Sequence, residues 1–110
     1  MRSSAIGAIS PRVIRALRQF GSDISLARRK RAVTMQMMSE RASVSLGTYR
    51  RIERGDPNVA FGLYIMALQG LGLDVGAILR SVMPEADTAG LLLDRERVPK
   101  RVRPKHGGAL

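Results

Sequence analysis

The residues best placed to do chemistry lie in positions 34–55, TMQMMSERASVSLGTYRRIERG, where Arg50, Arg51 and Arg54 crowd one short stretch. Three guanidinium groups on one short helix make it rich in positive charge, suited to a polyanion. Two short helices joined by a tight turn must position them. Thr34 can cap a first helix whose inward positions are Met35, Met38 and Ala42, and Ser43-Val44 turns the chain. Ser45 caps again, and Tyr49 and Ile52 supply the apolar face of the second helix. Packed at a steep angle, with the second helix presented to solvent, such a pair fits the major groove of DNA.

Other chemistries find little support. His106 is the single histidine and stands near the chain end, so neither a metal site nor a Ser-His pair can be assembled. The nine acids are scattered, and no pair of them suggests acid–base work. Gly70-Leu71-Gly72 lacks a preceding strand and is no nucleotide loop. The six methionines, Met35, Met37 and Met38 among them, read as gap-filling core. No enzyme activity, metal or cofactor is expected.

A chain of 110 residues with 45% apolar content is one small domain with a modest core, for which oligomerisation is a usual support. Cysteine is absent, so no disulfide frame exists and a reducing cytoplasm is the simplest home. The opening MRSSAIGAIS is too polar for a secretory segment, and nowhere do about 18 apolar residues run together, so no membrane association is expected. The net charge of +10 is uneven: +9 over residues 1–55, −4 over 56–94 and +5 over 95–110. One face is expected to meet polyanion and another to meet protein.

Helix signals recur along the chain. Ser10-Pro11 starts a helix with the stripe Val13, Ile14, Leu17 and Phe20, which Gly21 should end. Ser22 or Asp23 should cap the next, running to about Ala32 with Ile24, Ala27, Arg28 and Arg31 on one side. Helices over about 35–42 and 46–54 follow, the second stopped by a left-handed Gly55. A helix over about 60–70 should bury Phe61, Tyr64, Ala67, Leu68 and Leu71, and Asp74 should cap a last one with Val75, Ile78, Leu79 and Val82. With no strand candidate, the expected fold is all-α. Residues 1–20 form an N-terminal extension with one extra helix, 21–82 a five-helix domain, and 83–110 a segment with a basic, Pro-containing, disordered tail.

The spacing Thr34…Val44-Ser45…Ile52-Glu53-Arg54-Gly55, with Arg28 upstream, resembles the Xre-type, lambda-repressor-like helix-turn-helix family over about residues 21–82. The resemblance implies a structural ion pair between Arg28 and Glu53. It implies base reading by Leu46, Gly47, Thr48, Arg50 and Arg51, where arginine suits guanine and Gly47 lets the backbone approach. It implies phosphate contacts from Thr34, Ser45 and Arg54, with Arg29 and Lys30 added, and a homodimer on a palindromic operator. Three positions depart from the family: Met35 where Gln is common, Ser39 where Ala is common, and Ser43 where Gly is common. A left-handed Ser43 would cost about 1 kcal/mol.

A narrower resemblance rests on IERGDP, on the LGL after residue 70 and on the basic PKRVR run: these are similar to HipB-like antitoxins. That implies a repressor of its own operon that also neutralises a HipA-like kinase toxin. The 11–20 helix, with Leu17 and Phe20 exposed in a stripe the five-helix core does not need, the acidic middle and the basic tail are the candidate partner surfaces. The alternative is a plain Xre-family transcriptional regulator without a toxin partner.

Overall fold

The computed structural model describes residues 7–82 together with Pro99 and Arg101. The expectations placed on residues 83–98 and on most of the tail lie outside the described residues. Five helices lie wholly within the described residues, in order: α1 (Pro11–Lys30), α2 (Met35–Arg41), α3 (Leu46–Glu53), α4 (Phe61–Gly70) and α5 (Val75–Ser81). No strand occurs among the described residues, so the class is all-α. The chain divides into two units, residues 1–75 and 76–110. In the second, α5 buries none of its residues and ends with the Ser81 hydroxyl donating to the Ile78 carbonyl at 2.6 Å.

The first two expected helices are one. α1 starts at Ser10, whose hydroxyl accepts from the Val13 amide at 3.2 Å, with Pro11 at the first helical position. It then continues through Gly21 for 20 residues, roughly 30 Å of helix. Gly21 is buried, and a Cβ there would lie 2.6 Å from the Glu53 carbonyl and the Gly55 amide nitrogen. This glycine lets the end of α3 lie on the α1 backbone instead of stopping the helix. A mid-helix glycine costs about 1 kcal/mol against alanine; the close packing it permits offsets that. Ser22 and Asp23 are therefore exposed helical residues, Asp23 accepting from the Gln19 amide one turn earlier at 2.9 Å.

The extra helical turns also do not present a spare apolar stripe. Phe20 is half-buried, with its ring centroid 5.7 Å from that of Tyr64, and the Leu17 backbone lies against Gly55. Only Val13 of that stripe is exposed.

α1 to α4 all end in the same way. The residue after each C-cap (Ala32, Ser43, Gly55, Gly72) has positive φ, and its amide and the next bond back to carbonyls of the last turn. At α2 these bonds are Ser43 N to Glu40 O at 3.1 Å and Val44 N to Ser39 O at 3.0 Å, the Schellman arrangement. Glycine fills the left-handed position twice. Ala32 and Ser43 fill it at φ 54° and 57°, against the Cβ clash that makes this conformation unfavourable.

The core gathers Ile24 of α1, Val33, Met38 and Ala42 from α2 and its flanks, Tyr49 and Ile52 of α3, Val59, and Tyr64, Ala67, Leu68 and Leu71 around α4. Ser39 is buried among them, its hydroxyl donating to the Gln36 carbonyl at 2.7 Å. α3 packs against α1, α2 and α4 at once. Phe61 is not part of this core: it is 67% exposed, and Val59 is buried ahead of α4 instead. α4 is apolar on most of its circumference, so its pattern could not say which apolar residues face inward.

Candidate nucleic-acid interface

α3 turns one side to the core and the other to solvent. Tyr49 and Ile52 are fully buried and Glu53 lies beside them, so Gly47, Arg50 and Arg54 face out, with Leu46, Thr48 and Arg51 half-buried at the flanks. The helix begins at Ser45, whose hydroxyl accepts from the Thr48 amide and donates to the Thr48 hydroxyl, both at 3.1 Å. Thr34 caps α2 in the same way, accepting from the Met37 amide at 3.1 Å. Around Gly47 the surface is open: a Cβ would meet only the Ser45 hydroxyl, at 3.9 Å.

Behind that face a nearly buried network fixes α3 to α1. Arg28 donates to Glu53 through Nε at 2.6 Å and through Nη2 at 3.2 Å, while its Nη1 donates to the Val33 carbonyl at 3.0 Å. The Tyr49 hydroxyl donates to the same carboxylate. Side-chain exposure is 12% for Arg28 and 6% for Glu53, so this pair is largely shielded from water. Burial pushes the Glu53 carboxyl up, but hydrogen bonds from Arg28 and Tyr49 together outweigh it and hold the group below its ordinary range. The bond to Glu53 raises Arg28, and burial followed by the Glu53 bond raises Tyr49. The expected ion pair is thus present, with Tyr49 as a third member. All charge at its centre is satisfied within the network, leaving the outer arginines to face solvent.

Arg51 stands in a different setting from Arg50. Its Nε donates to Asp56 at 2.8 Å, and the same carboxylate accepts from the Asn58 amide at 2.8 Å. The Arg51 hydrogen bond is the main cause holding Asp56 below the usual carboxylate range. Arg51 keeps 41% side-chain exposure, and one of its five donors is committed to the turn after α3. Asp56 carries no assigned role in the sequence reading. Its role as a brace between α3 and that turn comes from the fold, and the Tyr64 hydroxyl donating to the Asp56 carbonyl at 2.7 Å completes it.

The remaining expected contacts are spread. Met35, Arg50, Glu53 and Arg54 line one shallow groove with Ser22 and Ser25 of α1, so the start of α2 and the outer face of α3 share a surface. Arg29 and Lys30 are exposed at the far end of α1, Arg29 donating to the Ser25 hydroxyl at 3.3 Å. They do not line the grooves beside Arg50 and Arg54. Arg18 does, and it was not among the expected residues: a helix broken at Gly21 left no way to place it next to Arg54.

Among the described residues no cluster of three or more potential metal ligands occurs, and no helix is long and apolar enough to cross a membrane. Compared with protein-family models, with curated proteins and with solved structures, the chain matches none.

Proposed function

We propose that this chain is a sequence-specific DNA-binding repressor, in which α2 and α3 form an Xre-type, lambda-repressor-like helix-turn-helix and α3 enters the major groove. One observation carries the reading: the outward face of α3 consists of Gly47, Arg50 and Arg54, flanked by Leu46, Thr48 and Arg51, and is braced from behind by Arg28, Glu53 and Tyr49. Arg50 is the leading base reader, because it is exposed and its fork can span guanine O6 and N7. Arg51 reads beside it from a position set by Asp56. Arg54, Thr34 and the Ser45 end of the helix contact phosphates, with Arg29 and Lys30 outside this core footprint. One recognition helix spans few base pairs, so two copies bind a palindromic site with their helices about 34 Å apart.

The test uses DNA selected by the protein from a random pool. Arg50→Ala should cost roughly 1–3 kcal/mol on that site and relax preference at one base pair. Arg54→Ala should weaken all DNA alike and flatten the salt dependence by about one unit. Equal losses on selected and random DNA for both variants would remove base reading from Arg50.

The repressor also serves, in the more specific form of this reading, as an antitoxin similar to HipB-like proteins, neutralising a HipA-like kinase toxin. The observation on its side is exposed apolar side chains, Phe61 among them at 67%. Co-expression with a neighbouring kinase-like gene checks it. Toxicity unrelieved by the full chain returns the protein to plain regulation.

A further inference from the structure

Resting on the DNA-binding reading, we propose that Arg18 completes a phosphodiester-binding groove at the C-terminal end of α3, extending the footprint onto the N-terminal half of α1. Arg18, Arg51 and Arg54 line one groove together with Gly55, Asp56 and Asn58. Its floor includes a close approach of backbone to backbone. A Cβ on Gly55 would lie 2.2 Å from the Leu17 carbonyl oxygen and 2.7 Å from the Arg18 Cα, so the turn after α3 sits directly on α1 where Arg18 emerges. The continuity of α1 through Gly21 holds Arg18 there.

The charge in this groove favours a polyanion. Three guanidinium groups face one carboxylate, and that carboxylate is already engaged by Arg51 and by the Asn58 amide. Arg54 also lines the neighbouring groove with Arg50, so one guanidinium borders both the outward face of α3 and the groove of Arg18. A duplex that accepts α3 in its major groove, about 12 Å wide, carries a sugar-phosphate strand along each edge of that groove. The end of the inserted helix therefore meets a strand, and Arg18 and Arg54 are the exposed cations waiting beside it. Such contacts fix position and carry no sequence information.

The experiment measures binding of the full-length protein to its selected duplex and to a random duplex over a range of salt. Arg18→Gln is compared with Arg12→Gln, which removes the same charge from an exposed α1 position that does not line the groove. Arg18→Gln should lower affinity for both duplexes by roughly fivefold and reduce the slope of log affinity against log salt by about one unit. Its melting temperature should match the parent, since Arg18 is exposed. Arg12→Gln should leave the slope nearly unchanged. An unaltered slope for Arg18→Gln, with Arg50→Ala still losing the selected site, overturns the groove while the DNA-binding reading stands. Equal effects of Arg12→Gln and Arg18→Gln overturn it in favour of a diffuse field. Full-length protein that binds neither duplex overturns both readings.

Discussion

Glu53→Ala tests the bracing of α3 most directly. The carboxylate accepts two bonds from Arg28, at 2.6 and 3.2 Å, and one from the Tyr49 hydroxyl. After truncation Arg28 retains only its bond to the Val33 carbonyl, and the hydroxyl of a fully buried tyrosine loses its acceptor. An exposed pair would contribute at most about 1 kcal/mol, whereas removing one partner of a buried pair costs about 3–5 kcal/mol. With exposures of 12% and 6% this pair lies near the buried limit, and the remaining Val33 bond softens the loss. The expected destabilisation is about 3 kcal/mol, which for a domain of this size lowers the melting temperature by roughly 15 °C. Circular-dichroism melts and urea titrations of Glu53→Ala, Arg28→Ala and the double variant give the coupling, which should exceed ~1 kcal/mol. A loss below ~1 kcal/mol for Glu53→Ala, or strictly additive single variants, would refute the argument that one shielded network holds α3 to α1.

Gly47→Ala should stabilise the fold by up to about 1 kcal/mol, because the new methyl meets open space within a helix. The same variant should weaken binding to the selected duplex, and unchanged affinity would mean that no backbone approach occurs there. Ser43→Gly should raise stability by about 1 kcal/mol in urea titrations, since it relieves a left-handed serine at φ 57°; a loss would mean that the serine conformation is not strained. Stability should also depend on acid. Glu53 and Asp56 are held below their ordinary values, so their contribution is complete above the unfolded carboxylate range near ~4 and is lost as pH falls through the lower folded values. Melting temperatures should be level from neutral to about pH 5 and drop below about 4, and Glu53→Gln should flatten that drop. An acid limb of the same depth in Glu53→Gln would place the titration elsewhere.

Local signals in the sequence were enough for three of the helix starts and for much of the core. Ser10-Pro11, Thr34 and Ser45 supply side-chain acceptors for amides that every helix start leaves unpaired, and all three cap as their types require. Gly55 adopts the left-handed conformation expected of it, and Met38, Ala42, Tyr49, Ile52, Tyr64, Ala67 and Leu68 go inside. The pairing of Arg28 with Glu53, 25 residues apart, was legible only through a family resemblance, and Tyr49 as its third member was not. Gly21 shows why local reading stops short. A glycine followed by Ser and Asp looks the same whether a helix ends there or a neighbouring chain needs the space. The end of α3 decides it, by lying where a Cβ would be. Phe61 and Arg51 are decided in the same way, one by which side of an almost wholly apolar helix finds a partner, the other by the turn that brings Asp56 back against α3. Capping and patterning act through neighbours a few residues along the chain, whereas burial, close approach and charge pairing depend on which distant backbone arrives, and only the assembled helices determine that.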